Sequence, residues 1–381
     1  MSRKIVFINQ ATGYLTIDVI NSFTADFDEI ALITGSIRVQ DIPLDKKIKV
    51  NLITRYNRGN AIKKSFSWLI GTIQIYFLLV TRYRKYDKFY FTIPPTAYLL
   101  AHRFRVPFVI YAYDLYPEAL KSFGIDRNSL IYRWWAGRNR KVFTKAVRIF
   151  TLSEKMKSQI LEYSDRDNVT VIPNWTAFTG MQRIRKSENR LIASYNLQDK
   201  FIVQYSGNIG QTHKVETLIF LAEKLRVYDK ILFLIIGRGE RLKTITSMIE
   251  EKKLMNCLVL PFRNDEDLFD SLCAADLAVV TLDDKTPDVS VPSKTYNILA
   301  AGLPIMSIAA EQSEISLMIE AHQIGKNFNK NDLSGMSNFI LELSDSPERR
   351  DLFAARSMIA SQSYTRSNAK IIRDVCLQYL N

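Results

Sequence analysis

Short apolar runs alternate along this chain with longer stretches in which apolar residues recur every three or four positions. The early runs are Lys4 to Ile8, Glu29 to Thr34, Lys49 to Thr54, Lys88 to Ile93, Pro107 to Ala112, Val147 to Leu152 and Val169 to Ile172. Apolar runs of this length, separated by helical periodicity, suit strands buried on both faces, so the pattern predicts a parallel sheet covered by helices. From Pro173 to about Lys200 it lapses into polar and basic residues, among them Arg183, Arg185, Lys186 and Arg190, as an interdomain link would. A second series follows at Phe201 to Tyr205, Ile231 to Ile236, Leu258 to Pro261, Leu277 to Leu282 and Leu303 to Ala309. The fold class predicted is therefore α/β with two doubly wound domains, residues 1–195 and 196–362. Ile372, Val375, Cys376, Tyr379 and Leu380 share one stripe of a last helix within 363–381, which must pack back onto something. A length of 381 residues suits two cores better than one.

Three of the strand-to-helix corners carry candidate chemistry. At Val291 to Met306 the chain reads V-P-S-K-T-Y-N-I-L-A-A-G-L-P-I-M. Pro292 belongs at a helix start and Ser293 can cap, which predicts a helix from Thr295 to Ala301 ending at Gly302, with Pro304 beyond. Free N–H groups at Ser293 to Thr295 and the charge of Lys294 would make an anion site. A plain strand-loop-helix corner accounts for the same residues. The run Phe201 to Gln204 leads into Tyr205-Ser206-Gly207-Asn208-Ile209-Gly210, then Lys214, with helical periodicity from Val215. Strand, glycine loop, lysine and helix again make a phosphate cradle. The third corner, Gly237-Arg238-Gly239-Glu240, lacks the third glycine of a dinucleotide fingerprint, which argues against a Rossmann oxidoreductase.

In this order and spacing the pieces resemble the retaining glycosyltransferases of bacterial family 4. The carriers are Y-S-G-N-I-G at Tyr205 to Gly210, Lys214, G-R-G-E at Gly237 to Glu240, P-F-R at Pro261 to Arg263 and P-S-K-T-Y-N-I-L-A-A-G at Pro292 to Gly302. D-L-Y-P-E at Asp114 to Glu118 and V-I-P-N-W at Val171 to Trp175 are similar to the subgroup that builds O-antigen and capsule on lipid carriers. The resemblance implies the GT-B fold, two Rossmann-like domains facing across a cleft, with the terminal helix returning to the first domain.

It also implies roles. Lys214 would be the cation on the leaving phosphate, and Asn208 stands where many relatives carry arginine, with Lys294 restoring the charge. Backbone around Phe262 and Arg263 would hold the base, while Arg238 and Glu240 either face the donor or cap the following helix. The family's two glutamates are absent: the second position is Asn297 and the first falls near Asp288, the nearest carboxylate. Asn297 can still hydrogen-bond a ribose. The donor set is thus Gly207, Asn208, Gly210, Lys214, Arg238, Glu240, Arg263, Asp288, Ser293, Lys294, Thr295 and Asn297. The acceptor would meet Gly13 and Tyr14 after the first strand, and Asp114, with Glu118 one turn on, would orient its hydroxyl or take its proton. No metal or other cofactor is expected. Asp26-Phe27-Asp28 and Asp165-Arg166-Asp167 read as surface turns rather than metal pairs.

Composition narrows the setting. Three widely spaced cysteines without a C-x-x-C pair suggest a reducing compartment, and a strand pattern beginning at Lys4 leaves no room for a signal peptide. Residues 1–200 hold 32 Lys and Arg against 16 Asp and Glu, whereas residues 201–381 hold 20 against 23. An anionic partner is therefore expected for the first domain. Nucleic acid is disfavoured because no helix-turn-helix, ribonucleoprotein or zinc-finger pattern occurs. Phe66 to Val80, flanked by Lys63, Lys64, Arg82, Arg84 and Lys85, is shorter than the ~20 residues a span needs and fits a helix lying in an anionic membrane interface. A core helix with basic ends is the other reading, and Tyr132 to Trp135 with Arg138, Arg140 and Lys141 is a second candidate. The function expected is transfer of a sugar from a nucleotide donor, UDP-linked, to a polyprenyl-diphosphate-linked saccharide, by a peripheral protein on the cytoplasmic face. The competing readings are a nonhydrolysing UDP-sugar 2-epimerase and a membrane-associated scaffold without activity.

Overall fold

The computed structural model describes residues 2–57, 61–210, 214–282 and 291–380. Two compact units result, one of residues 1–177 with 366–381 and one of residues 178–365. In the first unit β1 (Lys4–Ile8), β2 (Glu29–Thr34), β3 (Lys49–Leu52), β4 (Asp87–Phe91), β5 (Phe108–Ala112), β6 (Arg148–Thr151) and β7 (Val169–Val171) form one parallel sheet ordered β3-β2-β1-β4-β5-β6-β7. Ile5 to Ile8, Phe89 to Phe91 and Val109 to Ala112 are buried, which is why these strands read as unbroken apolar runs. The second unit holds β8 (Phe201–Asn208), β9 (Ile231–Arg238), β10 (Cys257–Pro261), β11 (Leu277–Thr281), β12 (Ile305–Ile308) and β13 (Gly325–Phe328), ordered β10-β9-β8-β11-β12-β13. β13, with sequence G-K-N-F, was not expected: it is an edge strand of which only Phe328 is buried, so it leaves no apolar run.

Two expectations shift. The polar stretch after Pro173 is not a free link, and the division falls at 177/178 instead of 195/196. Its residues are tied to the second unit: Arg183 donates to the carbonyls of Gly302 (3.0 Å) and Ala275 (3.1 Å), Lys186 pairs with Asp276 (2.9 Å), and Asn189 donates to the Asp270 carbonyl (2.7 Å). Polar side chains that bond backbone carbonyls leave no hydrophobic periodicity to read. The terminal segment joins the first unit from Arg366, and Ala369, Ile372, Cys376 and Leu380 enter its core, whereas Tyr379 stays largely exposed.

In the first unit α1 (Tyr14–Ser22) follows β1, α2 (Ala61–Thr81) precedes β4, and α3 (Leu130–Lys145) precedes β6. At 21 residues α2 is longer than its apolar run, and by length and composition alone it could cross a bilayer. One face is nevertheless fixed to the unit. Ile75 and Leu79 lie in the core, Gln10 Nε2 donates to the Ser67 carbonyl (2.9 Å), and Gln74 Oε1 accepts from Thr54 N (2.8 Å). The opposite face is open: Ile62, Phe66, Leu69, Ile73 and Phe77 each expose more than half of their surface, and Val80 continues the stripe.

Candidate functional site

Strand order in the second sheet reverses between β8 and β11, and the ends of such strands are where doubly wound sheets bind ligands. Two of the corners singled out in the sequence meet there. Lys294 begins the helix Lys294–Ala300 after β11, and its Nζ lies 3.9 Å above the centroid of the Tyr205 ring of β8. The same Nζ is 3.5 Å from where a Cβ on Gly207 would stand. It is buried, and among the described residues it has no hydrogen-bond partner. Burial pushes the ammonium down to about 7. Thr295 Oγ1, next to it, is buried and likewise without a partner among the described residues. A buried cation in that condition is stabilised by an anion that accepts from it. Tyr205, the floor under the ammonium, had no assigned role; its place at the end of an apolar strand in Y-S-G-N was the available signal. Its hydroxyl donates to the Asn208 carbonyl (2.6 Å) and holds the turn.

The helix start differs from expectation. Ser293 has helical φ and ψ and its side chain makes no capping bond, so the anion argument rests on Lys294, not on a cap. The glycine loops also have a sheet-level cause. β8 and β9 stay paired through Gly207 with Gly237 and Asn208 with Arg238, and a Cβ on Gly237 would overlap the Gly207 carbonyl oxygen. Gly239, at φ +152°, lies against the Ile209 backbone with the same lack of room.

The other donor candidates differ in exposure. Asn208 and Ser293 are exposed, Gly210 and Asn297 are buried, and Arg263 is half-buried. Arg238 stacks its guanidinium 4.4 Å over the Phe262 ring, and Glu240 is exposed. Lys214 precedes the helix Glu216–Lys224 and lines a cavity of about 310 Å³ with Thr217, Phe220, Lys330 and Asn331. Asp288 lies outside the described residues.

In the first unit the order reverses between β1 and β4, and Asp114 follows β5 close by. Thr92 Oγ1 accepts from the backbone N–H groups of Tyr113 (3.1 Å) and Asp114 (3.3 Å), which fixes this corner. The Asp114 residue is open to solvent although protein crowds around it. That crowding raises its carboxyl above the usual value, with Lys64 of α2 pulling the other way. Glu118 accepts from the hydroxyls of Tyr132 (3.0 Å) and Tyr163, bonds that tie α3 and the turn at Tyr163 to the loop. Gly13 has open space at its Cβ position, whereas the Tyr14 hydroxyl is committed to the Trp175 carbonyl (2.8 Å). Asp18, on the same helix, accepts from Trp175 Nε1 (2.9 Å) and pairs with Arg366 (3.0 Å). V-I-P-N-W thus serves, through Trp175, to anchor the end of this part of the chain. Asp28 accepts from Arg3 N (2.8 Å), Asp26 faces Arg373 (3.9 Å) and Asp167 faces Lys157 (3.6 Å).

Two parallel sheets flanked by helices, each a Rossmann-like domain, are the elements of the GT-B fold. In sequence the chain is similar to proteins named as glycosyltransferases, and in fold to solved GT-B structures. Residues 187–356 match the family described as "Glycosyl transferases group 1". WbjE of Pseudomonas aeruginosa, which carries the name of a glycosyltransferase, is 25% identical over 250 residues, covering 64% of this chain and 62% of that protein. WcaI of Escherichia coli (strain K12), whose name places it in colanic acid biosynthesis, is 29% identical over 175 residues, or 45% of this chain and 43% of that one. The match therefore spans less than two thirds of either relative. The crystal structure of HepE from Anabaena in complex with UDP and glucose has a TM-score of 0.72 at 16% identity, covering 99% of this chain and 100% of that one, a likeness of fold.

Proposed function

We propose that this protein is a retaining, metal-independent glycosyltransferase that moves a sugar from a UDP-linked donor to a saccharide on a polyprenyl diphosphate, peripherally at the cytoplasmic face of the membrane. The observation that carries this reading is the buried Lys294 ammonium, lacking a hydrogen-bond partner among the described residues, beneath Gly207. In sugar transfer the bond from the anomeric carbon to the β-phosphate oxygen breaks and its electron pair stays on the diphosphate. Lys294 supplies the positive charge that a metal ion supplies elsewhere and donates hydrogen bonds to the departing phosphate. Lys214 is the second cation we assign to the phosphates. The acceptor hydroxyl forms the new bond on the face the phosphate leaves. Asp114 orients that hydroxyl, and the proton passes to the departing phosphate or to Asp114. Asn297 takes the ribose contact without charge assistance. Glu118, engaged by two tyrosines, holds the loop rather than the substrate.

The donor base is supported by HepE, which binds UDP, and the polysaccharide setting by WcaI's name. The exposed apolar stripe on α2, between basic flanks, supports an anionic membrane as partner. A thermal-shift panel against UDP, GDP, CMP, ADP and dTDP, with and without a chelator, tests the reading. UDP should stabilise the protein with the logarithm of its concentration, unaffected by chelation and diminished in Lys294→Met and Lys214→Ala. Absence of a shift with every nucleotide would turn the assignment toward a scaffold.

A further inference from the structure

The first turn of α3 exposes a second apolar group. Leu130 is 83% exposed, Ile131 49% and Trp134 52%, whereas Tyr132 and Trp135 on the same helix are buried. The two helices are joined by rings. Trp68 of α2 meets Tyr116 edge-on at 5.7 Å, Tyr116 stacks on Trp135 at 5.3 Å, and Trp135 meets Trp134 at 6.1 Å. Each end carries a cation over its indole, Lys64 over Trp68 (5.1 Å) and Arg138 over Trp134 (5.6 Å). Neither helix contains a carboxylate, while α3 adds Arg133, Arg140, Lys141 and Lys145.

We propose that Leu130, Ile131 and Trp134 form a second insertion point that acts with the α2 stripe as one docking face for an anionic phospholipid bilayer. The inference rests on the membrane-bound reading of this unit and deepens it. Charge selects the occupant: exposed Leu, Ile and Trp set among arginines and lysines match acyl chains under anionic headgroups, not a neutral protein groove. Geometry supplies the use. A single helix lying in an interface leaves the attached domain free to roll about the helix axis, and a second anchor removes that freedom. Tyr116, in the middle of the ring relay, is two residues from Asp114, so fixing the roll fixes where Asp114 stands relative to the headgroups. A lipid-linked diphosphate acceptor is then met at the surface.

The test uses the full chain and vesicles of phosphatidylglycerol and phosphatidylcholine, compared with phosphatidylcholine alone. Leu130→Glu with Trp134→Glu should lower partitioning onto the anionic vesicles by about tenfold or more, as should Phe66→Glu with Phe77→Glu. All four side chains are exposed, so melting temperature and UDP binding should stay at the wild-type values. An environment-sensitive fluorophore on Leu130→Cys should shift to the blue with anionic vesicles only; the native cysteines are buried or half-buried. If the α2 pair abolishes binding while the α3 pair and the fluorophore are silent, the second anchor is overturned and the membrane reading stands. Wild-type protein that fails to bind vesicles at all overturns both. A change in sedimentation of the free protein in the α3 variant, with vesicle binding intact, would make this face a contact between copies and also overturn it.

Discussion

Replacing Lys294 by methionine keeps most of the side-chain volume and removes the buried ammonium. In the free protein burial lowers its pKa from 10.5 to about 7, so between those values the unfolded chain holds more protons than the folded one. Stability therefore rises with pH through that window, and the charge costs the folded state on the order of 4 kcal/mol at neutral pH. A bound diphosphate reverses the balance, because its oxygens favour the protonated lysine. UDP binding at alkaline pH must then take up a proton, and affinity should fall as the pH rises past the lowered pKa of the free protein. Calorimetric titration in buffers of different ionisation enthalpy reads the uptake directly. Lys294→Met should melt higher than the wild type, bind UDP about ten- to a hundredfold more weakly at pH 7, and lose the proton uptake at pH 8. Wild-type affinity in the variant, or the same proton uptake in both proteins, would refute the placing of phosphate at this ammonium.

Asp114→Asn should lower kcat at least ~100-fold with UDP binding unchanged, and the wild-type acid limb should lie above the ordinary carboxylate range, because the folded pKa is raised; an unchanged kcat removes Asp114 from the chemistry. Gly237→Ala forces a Cβ onto the Gly207 carbonyl and should cost ~2–4 kcal/mol in denaturant unfolding, while an alanine variant of exposed Glu240 should move it by less than ~0.5. Asp18→Ala leaves the Trp175 indole without its partner and Arg366 with Asp41 alone, and a loss of ~2–4 kcal/mol is expected, with faster hydrogen exchange over Ser367 to Cys376. Exchange at wild-type rates there would mean that apolar packing alone holds the terminal helix.

What was legible in the sequence followed from burial. Strands with both faces covered, such as β1, β4, β5 and β11, are largely apolar and stood out as runs; β13, with sequence G-K-N-F, has no apolar run to read. The return of the terminal helix was legible for the same reason, since Ile372, Cys376 and Leu380 share a stripe that needs a core. The strand-loop-helix corners were legible too, because glycine, lysine and proline at strand ends are constrained by local backbone chemistry. Which corner faces which is decided by strand order, and β8 and β11 are adjacent only through a crossover of 68 residues. That adjacency sets Lys294 on Tyr205, strips it of water and makes its charge contingent on an anion. Likewise the sequence determined that α2 is apolar, but only the packed structure decided that Ile75 and Leu79 point inward while Phe66, Ile73 and Phe77 face solvent. Local pattern specifies an element and its amphipathic stripe; long-range contacts alone decide what that stripe and its charges meet, because burial and desolvation belong to the assembled surroundings and not to the residue.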